Sequence, residues 1–410
     1  MWLLAAVFRK LITVGTLTFI GPDGTPFVIT GREPGPAITV RIADDATARA
    51  IALHPRLKLG EAYMAGKLTV VDGDIYDFLD YTGLNSEVID GGTWLDAVNK
   101  VRRLFRRILQ YNPIERARRN VAHHYDLSGR LYDLFLDPDR QYSCAYFPRP
   151  GATLEEAQEA KKRHIAAKLL LEPGQTILDI GSGWGGLGMH LARAGAGRVV
   201  GVTLSEEQHK LSNQRARDAG LADRVQFKLQ DYRLETDSYD RIVSVGMFEH
   251  VGVGHYREYF SKVRDLLKPD GVALIHSIGR SDGPGVMNAW VDKYIFPGAY
   301  APALSEVLPI VEQCGLVVTD IEILRLHYAE TLREWRRRFL AARQDVLELY
   351  DERFLRMWEF YLASCEVSFR RWGFMVWQMQ LARRVDSVPM TRDYIQDWER
   401  KQAKHGAIAA

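Results

Sequence analysis

Residues 177–186 read ILDIGSGWGG: an apolar run containing Asp179, then Gly181, Gly183 and Gly185 at two-residue spacing, then the start of a helical pattern. A strand that turns within a few residues into a helix needs positions without a Cβ, both for the turn and for close approach of a ligand to the backbone. Such turns belong to parallel sheets covered by helices, and the chain downstream keeps that rhythm. Strand-like runs occupy 176–180, 198–202, 225–229, 241–245 and 272–275, with helical periodicity at 185–194, 206–219 and 256–267. The alternation predicts a doubly wound, Rossmann-like α/β sheet.

A chain of 410 residues has room for two or three domains. Before the glycine loop, β-branched runs at 16–20, 27–30 and 37–42 are separated by Gly21-Pro-Asp-Gly and Gly31-Arg-Glu-Pro-Gly-Pro turns. Helical spacing follows near 46–53 and 75–81. A small α/β domain is expected over residues 1–95. Between 96 and 121, Leu104, Phe105, Ile108 and Leu109 recur at helical spacing among Arg102, Arg103, Arg106 and Arg107. Residues 100–119 carry eight basic side chains against one glutamate. A solvated linker helix satisfies that pattern, and so does a surface helix drawn to anionic head groups. The third stretch, 122–400, holds the glycine loop; from Tyr328 it reads as helical and rich in aromatic and arginine residues.

Lys and Arg number 54 against 52 Asp and Glu, which argues against a bulk nucleic-acid binder, although a local basic patch can hide within that balance. Cys144, Cys314 and Cys365 show no CxxC spacing, so neither a disulfide framework nor a zinc site is expected, and the compartment is read as reducing. His123 and His124 adjoin each other without a third ligand at suitable spacing, so no metal is assigned. At the start of the sequence, Arg9 and Lys10 interrupt the apolar run MWLLAAVF, and no stretch reaches the ~18 apolar residues of a spanning helix. The expectation is a cytoplasmic protein whose membrane contact is peripheral.

The loop alone leaves two ligands open. A dinucleotide fold continues as GxGxxG and places an acid about 20 residues on to read the ribose. Here the second strand runs into Val-Gly-Val-Thr-Leu-Ser-Glu-Glu-Gln with no acid at its tip. An acid before a GxGxG turn fits instead the class I methyltransferase version of the fold, which binds S-adenosylmethionine.

Further motifs narrow the reading. HHYDLSGRLYDLFLD, QYSCAYF, LDIGSGWGGL, VVGVTLSEEQ, QDY, DRIVSVGMFEHVG, IHSIG, KYIFPG and YLASCEVSFR follow in this order across residues 123–370. The series resembles the cyclopropane-fatty-acyl-phospholipid synthase family, which includes the mycolic acid cyclopropane synthases, and covers about two thirds of the chain. The N-terminal strands are similar to the small lipid-associated domain of longer bacterial members. The resemblance implies a S-adenosylmethionine site formed by Tyr142 and Ser143, by the loop Asp179, Gly181, Ser182, Gly183, Trp184 and Gly185, by Thr203, Leu204, Ser205 and Gln208, and by Gln230, Asp231 and Tyr232 near the adenine. It implies bicarbonate as base, held by Cys144, Glu249, His276, Ile278 and Tyr328. Cys365 matches a cysteine proposed as nucleophile. The implied substrate is an unsaturated phospholipid acyl chain at an anionic membrane surface, and the implied assembly is a homodimer. Ser182 stands where relatives often carry cysteine.

The chemistry asks for such residues. An alkene is a poor nucleophile, so holding it close and in line is the main contribution to methyl transfer. A carbocation then forms on the chain, which calls for aromatic faces and exclusion of water. Tyr142, Tyr146, Phe147, Phe248, Trp290 and Tyr294 lie in or near the motifs, although core packing accounts for any one of them. Ring closure needs a base. Glu249 and His276 fall at the carboxyl ends of successive strands, where doubly wound folds place their sites; His250 adjoins Glu249 without a defined role. Neither step needs a thiolate. The alternative product is a methyl-branched or methylene chain, and a lipid binder that has lost catalysis is the reading from another class.

Overall fold

The computed structural model describes residues 1–85 and 127–408, with side chains through 402. The basic segment at 96–121, both its domain boundaries, and His123 and His124 lie outside the described residues.

Two compact units emerge. In the first, described residues up to 85 cluster with Gly285–Pro297 and Ala329–Phe374. Its four-stranded sheet has the order β2-β1-β3-β4, formed by β1 (Val14–Ile20), β2 (Pro26–Thr30), β3 (Glu33–Ile42) and β4 (Leu68–Val70). The β1–β2 and β3–β4 pairs are antiparallel, and β1–β3 is parallel. β1 alternates strictly between buried and half-buried residues, as expected of a strand with one covered face. The helix Ile75–Leu84 starts on a capping box in which Asp74 and Asp77 each accept the other's backbone N–H. Two segments remote in sequence complete this unit. Trp290 lies on the backbone of the Pro55–Met64 helix, which is possible because position 60 is glycine; a Cβ there would stand 2.5 Å from the indole nitrogen. On the Glu352–Arg371 helix, Glu359 accepts from the Tyr63 hydroxyl at 2.7 Å.

The second unit carries a seven-stranded sheet of order β10-β11-β9-β8-β5-β6-β7. Its strands are β5 (Thr176–Ile180), β6 (Arg198–Thr203), β7 (Val225–Leu229), β8 (Tyr239–Val245), β9 (Leu267–Arg280), β10 (Val317–Ile323) and β11 (Phe374–Ala382). The β5–β6, β6–β7, β5–β8 and β8–β9 pairs are parallel. Strands buried on both faces send successive side chains to opposite sides. Ile177, Val199, Val243 and Leu274 join one core, and Leu178, Val200, Ile242 and Ala273 the other. The chain moves outward from β5 through β6 to β7, then returns to β8 on the other side of β5. That reversal is the topological switch point at which open α/β sheets bind ligands.

The structure corrects the sequence reading at one edge. The region after Tyr328 is not helical throughout, because Phe374–Ala382 is a strand pairing antiparallel with β10. A strand signal is present, since Gln378 and Gln380 alternate with Trp377, Met379 and Leu381, but it spans only five residues beside a long helical stretch. Val317–Ile323 was likewise not anticipated.

Candidate active site

The glycine turn sits at the carboxyl end of β5. Gly181, Gly183 and Gly185 have φ of 83°, 54° and 82°, in the left-handed region. The amides of Gly181 and Ser182 donate to the Val202 carbonyl at 2.9 and 3.1 Å, fixing the loop to the end of β6. A Cβ at Gly185 would stand 2.6 Å from the Phe227 ring, whereas one at Gly183 would meet nothing among the described residues within 4 Å. The 185 position therefore serves packing, and the 183 position faces open space.

That space is a cleft lined by Gly181, Gly183, Thr203, Leu204, Gln208, Gln230, Asp231 and Tyr232 from the sequence-derived set. Arg233, Met247 and His250 complete much of the remaining wall. Thr203 Oγ1 donates to Gln208 Oε1 at 2.8 Å, and Ser205 Oγ caps the Glu206–Asp218 helix by accepting from the Gln208 amide. Asp231 is gripped by Arg233 through Nε and Nη2, both at 2.8 Å. Tyr142, Ser143, Asp179, Ser182, Trp184, Gly185 and Ser205 are not part of the lining. Tyr142 and Trp184 pack against the Tyr132 ring, and Ser143 Oγ accepts from buried Lys161 Nζ at 2.8 Å.

Asp179 is buried in β5, and desolvation alone pushes its carboxyl up to about 7. A buried carboxylate whose ionisation burial opposes fits a ligand that brings a positive charge. The residues present therefore fit S-adenosylmethionine. A stability test follows from the sign of the shift. With the folded pKa above the unfolded one, the contribution of Asp179 is full below about 3.8 and is lost as pH rises to about 7. Asp179→Asn is thus expected to raise the melting temperature of the ligand-free protein at pH 8 while weakening ligand binding. Thermal melts against pH measure the first effect and calorimetric titration the second.

Beside the cleft, the turn after β8 carries Phe248–His250. Glu249 is 7% exposed. Its Oε1 accepts from the Ile278 amide at 2.6 Å, while Oε2 is buried with no hydrogen-bond partner among the described residues. Burial raises the carboxyl to about 7. His276 lies opposite Val245 in the β8–β9 ladder, and its carbonyl accepts from Gly246 N at 2.9 Å. Burial, reinforced by Lys161, Lys168 and His164, lowers His276 to about 3 and keeps it neutral. Gln378 of β11 bonds its Nδ1 at 3.1 Å.

The other sequence-derived residues are distributed as follows. Cys144 is buried, its thiol donates to the Ala145 carbonyl at 3.3 Å, and burial pushes its pKa up. Tyr328 is buried at the start of the His327–Ala341 helix. Cys365 belongs to the first unit, on the Glu352–Arg371 helix, with its thiol pushed up to about 12 by burial. Among the aromatics, Phe248 packs with Tyr256, Tyr259, Phe260 and Trp377. Tyr146 stacks on His164 and His327, and Trp290 and Tyr294 belong to the first unit. Sequence reasoning missed Arg233, Met247 and Gln378 and set aside His250. For His250 the signal was present, since it directly follows Glu249 at a strand tip.

The sheet order, the glycine turn and the cleft at the switch point define a class I S-adenosylmethionine-dependent methyltransferase. More specifically, the chain belongs to the mycolic acid cyclopropane synthetase family, whose profile matches residues 113–379. It is 43% identical over 264 residues to the cyclopropane-fatty-acyl-phospholipid synthase of Escherichia coli K12, covering 64% of this chain and 68% of the relative. It is 37% identical over 400 residues to a tuberculostearic acid methyltransferase of Mycobacterium tuberculosis, covering 92% and 90%. Among solved structures, the mycolic acid cyclopropane synthase CmaA1 complexed with SAH and CTAB superposes with a TM-score of 0.62 at 34% identity, over 66% of this chain and 99% of that one. The chain is an enzyme of the cyclopropane and fatty acid methyltransferase type, with S-adenosylmethionine as methyl donor.

Proposed function

We propose that the enzyme adds a methylene across a cis double bond of a phospholipid acyl chain, with bicarbonate as the proton acceptor held at Glu249, His276, Ile278, Tyr328 and Cys144. The observation that carries this reading is Glu249 Oε2, a buried acceptor without a hydrogen-bond partner among the described residues, in the turn after β8 beside the cleft. When bound, S-adenosylmethionine supplies an electrophilic methyl group. Gly183, Gln230 and Asp231 would hold it, together with the remaining loop residues.

Glu249 fits the base site on chemical grounds. Its Oε1 is occupied by Ile278, so Oε2 is left to accept a hydrogen bond from the hydroxyl of a bicarbonate ion. That bond raises the basicity of the ion toward the proton lost when the ring closes. Ile278 supports the site by orienting the carboxylate through its amide. Cys365 has no step to perform, because a thiol titrating near 12 is almost wholly protonated at neutral pH. Cys365→Ser is expected to retain near-normal turnover in the vesicle assay below.

A substrate buried in a bilayer places the enzyme at the cytoplasmic face of an anionic membrane as a peripheral protein. The basic 96–121 segment supports that placement, and no helix of the described residues is long and apolar enough to span a membrane. The reading includes a homodimer, with a small domain over 1–95 and a catalytic domain over 122–400. A second product class, methyl-branched or methylene, is favoured by the near full-length likeness to a tuberculostearic acid methyltransferase.

The test is turnover with purified protein, S-adenosylmethionine, bicarbonate and anionic vesicles containing a cis-monounsaturated phospholipid, with fatty acids read by mass spectrometry. A gain of CH2 with loss of the alkene and no new branch supports cyclopropane synthesis. A branched or exomethylene product selects the second reading. No product, with S-adenosylmethionine binding shown separately, overturns both for this substrate.

A further inference from the structure

A string of buried polar side chains leads away from His276 through groups that the proposed chemistry does not use. Lys168, fully buried on the Leu154–Lys168 helix, donates from Nζ to Gln378 Oε1 at 2.8 Å. Gln378, fully buried in β11, turns its Nε2 to His276 Nδ1 at 3.1 Å. Lys168 also bonds Glu322 of β10. Glu322 is in turn bonded by His164 Nε2 at 2.7 Å, and His164 Nδ1 meets Glu399 at 2.8 Å.

The donor inventory gives this string a direction. A lysine ammonium beside a carboxylate has three protons and no lone pair. The Gln378 atom facing it must therefore be the carbonyl oxygen, which leaves the amide NH2 facing the histidine. An NH2 group can only donate, so His276 Nδ1 must accept. A neutral imidazole that accepts at Nδ1 carries its proton on Nε2. We infer that Lys168 and Gln378 are positioning residues that lock His276 in its Nε2–H tautomer, making that N–H a hydrogen-bond donor for the oxyanion bound beside Glu249. The use of the N–H rests on the proposed function; the tautomer itself does not. The burial and cations that keep His276 neutral act in the same sense, since a protonated ring would have no acceptor for Gln378.

Gln378→Glu keeps the size of the side chain and its pairing with Lys168 but presents a carboxylate oxygen to Nδ1. Lys168→Arg keeps a donor-only cation. The experiment uses full-length, 15N-histidine-labelled protein, with the His276 signal assigned by its loss in His276→Asn. Wild type and Lys168→Arg are expected to show an unprotonated Nδ1 and a protonated Nε2, and Gln378→Glu a protonated Nδ1. In the vesicle assay, Gln378→Glu is expected to raise the bicarbonate KM by roughly tenfold or more, the scale of one hydrogen bond to an ion, with S-adenosylmethionine affinity unchanged. A protonated Nδ1 in the wild type, or an unchanged tautomer in Gln378→Glu, overturns the inference. Wild-type turnover indifferent to bicarbonate would overturn the proposed base while the nitrogen signals still report the tautomer.

Discussion

Glu249→Gln is expected to slow product formation by roughly 10²–10⁴-fold, the usual worth of a positioned general acid or base, while leaving S-adenosylmethionine affinity close to wild type. The substitution preserves what the structure shows to be architectural. An amide oxygen can still accept from the Ile278 amide, as Oε1 does at 2.6 Å, and the side chain keeps its volume in a buried turn. What it removes is the capacity of Oε2 to accept a proton or a hydrogen bond from a hydroxyl. A fall in turnover with intact cofactor binding therefore reports proton chemistry, whereas parallel loss of both would report a disturbed turn. The pH profile gives a second handle. Because burial lifts Glu249 to about 7 and the proposed role needs the ionised form, wild-type turnover at fixed bicarbonate concentration should climb through that pH and level off above it. His276, lowered to about 3, adds no limb in this range. The variant should lose the climb. Near-normal turnover in Glu249→Gln would remove Glu249 from the base site.

The same residues show why some of the site is legible in a linear sequence and some is not. β5 and β7 occupy the residues expected of them, 176–180 and 225–229, because short apolar runs between turn signals carry their own evidence. The loop glycines are legible for the same reason: a tight strand-to-helix turn is a local demand. Glu249 follows once the strands are placed, since it lies in the turn after β8; His276 does not close its strand as expected, because β9 runs on to Arg280. Gln378 could not have been found this way. Its meaning comes from Lys168, 210 positions earlier, and nothing within a window of a dozen residues marks a fully buried glutamine as the partner of a histidine. Its strand is marked only by a five-residue alternation, Trp377 to Leu381, beside a long helical stretch. Association of Gly285–Pro297 and Ala329–Phe374 with the N-terminal elements is non-local in the same sense. It depends on details such as the glycine that admits Trp290 to a helix backbone.

The glycine turn yields the other large expected effect, because two of its glycines are required for different physical reasons. Gly183→Leu should abolish S-adenosylmethionine binding, weakening it by roughly 100-fold or more, which corresponds to about 2.7 kcal/mol. The fold should survive. A Cβ at 183 meets nothing among the described residues within 4 Å, so the leucine side chain has the cleft to occupy, at the expense of the ligand. The remaining penalty is that of a left-handed φ of 54°, about 1–2 kcal/mol for an L-residue. Gly185→Ala reverses the balance. There even a methyl group would press 2.6 Å from the Phe227 ring and 2.9 Å from Ser212 Cβ, inside the core between the sheet and the Glu206–Asp218 helix, at a φ of 82°. That variant should lose stability first, by several kcal/mol through overpacking and backbone strain combined. Thermal melts and calorimetric titration on the pair separate the two roles: cofactor affinity falls at 183 with the melting temperature nearly kept, and the melting temperature falls at 185. If Gly183→Leu still bound S-adenosylmethionine normally, the ligand would not occupy the space in front of that glycine, and the cleft would have to be reassigned.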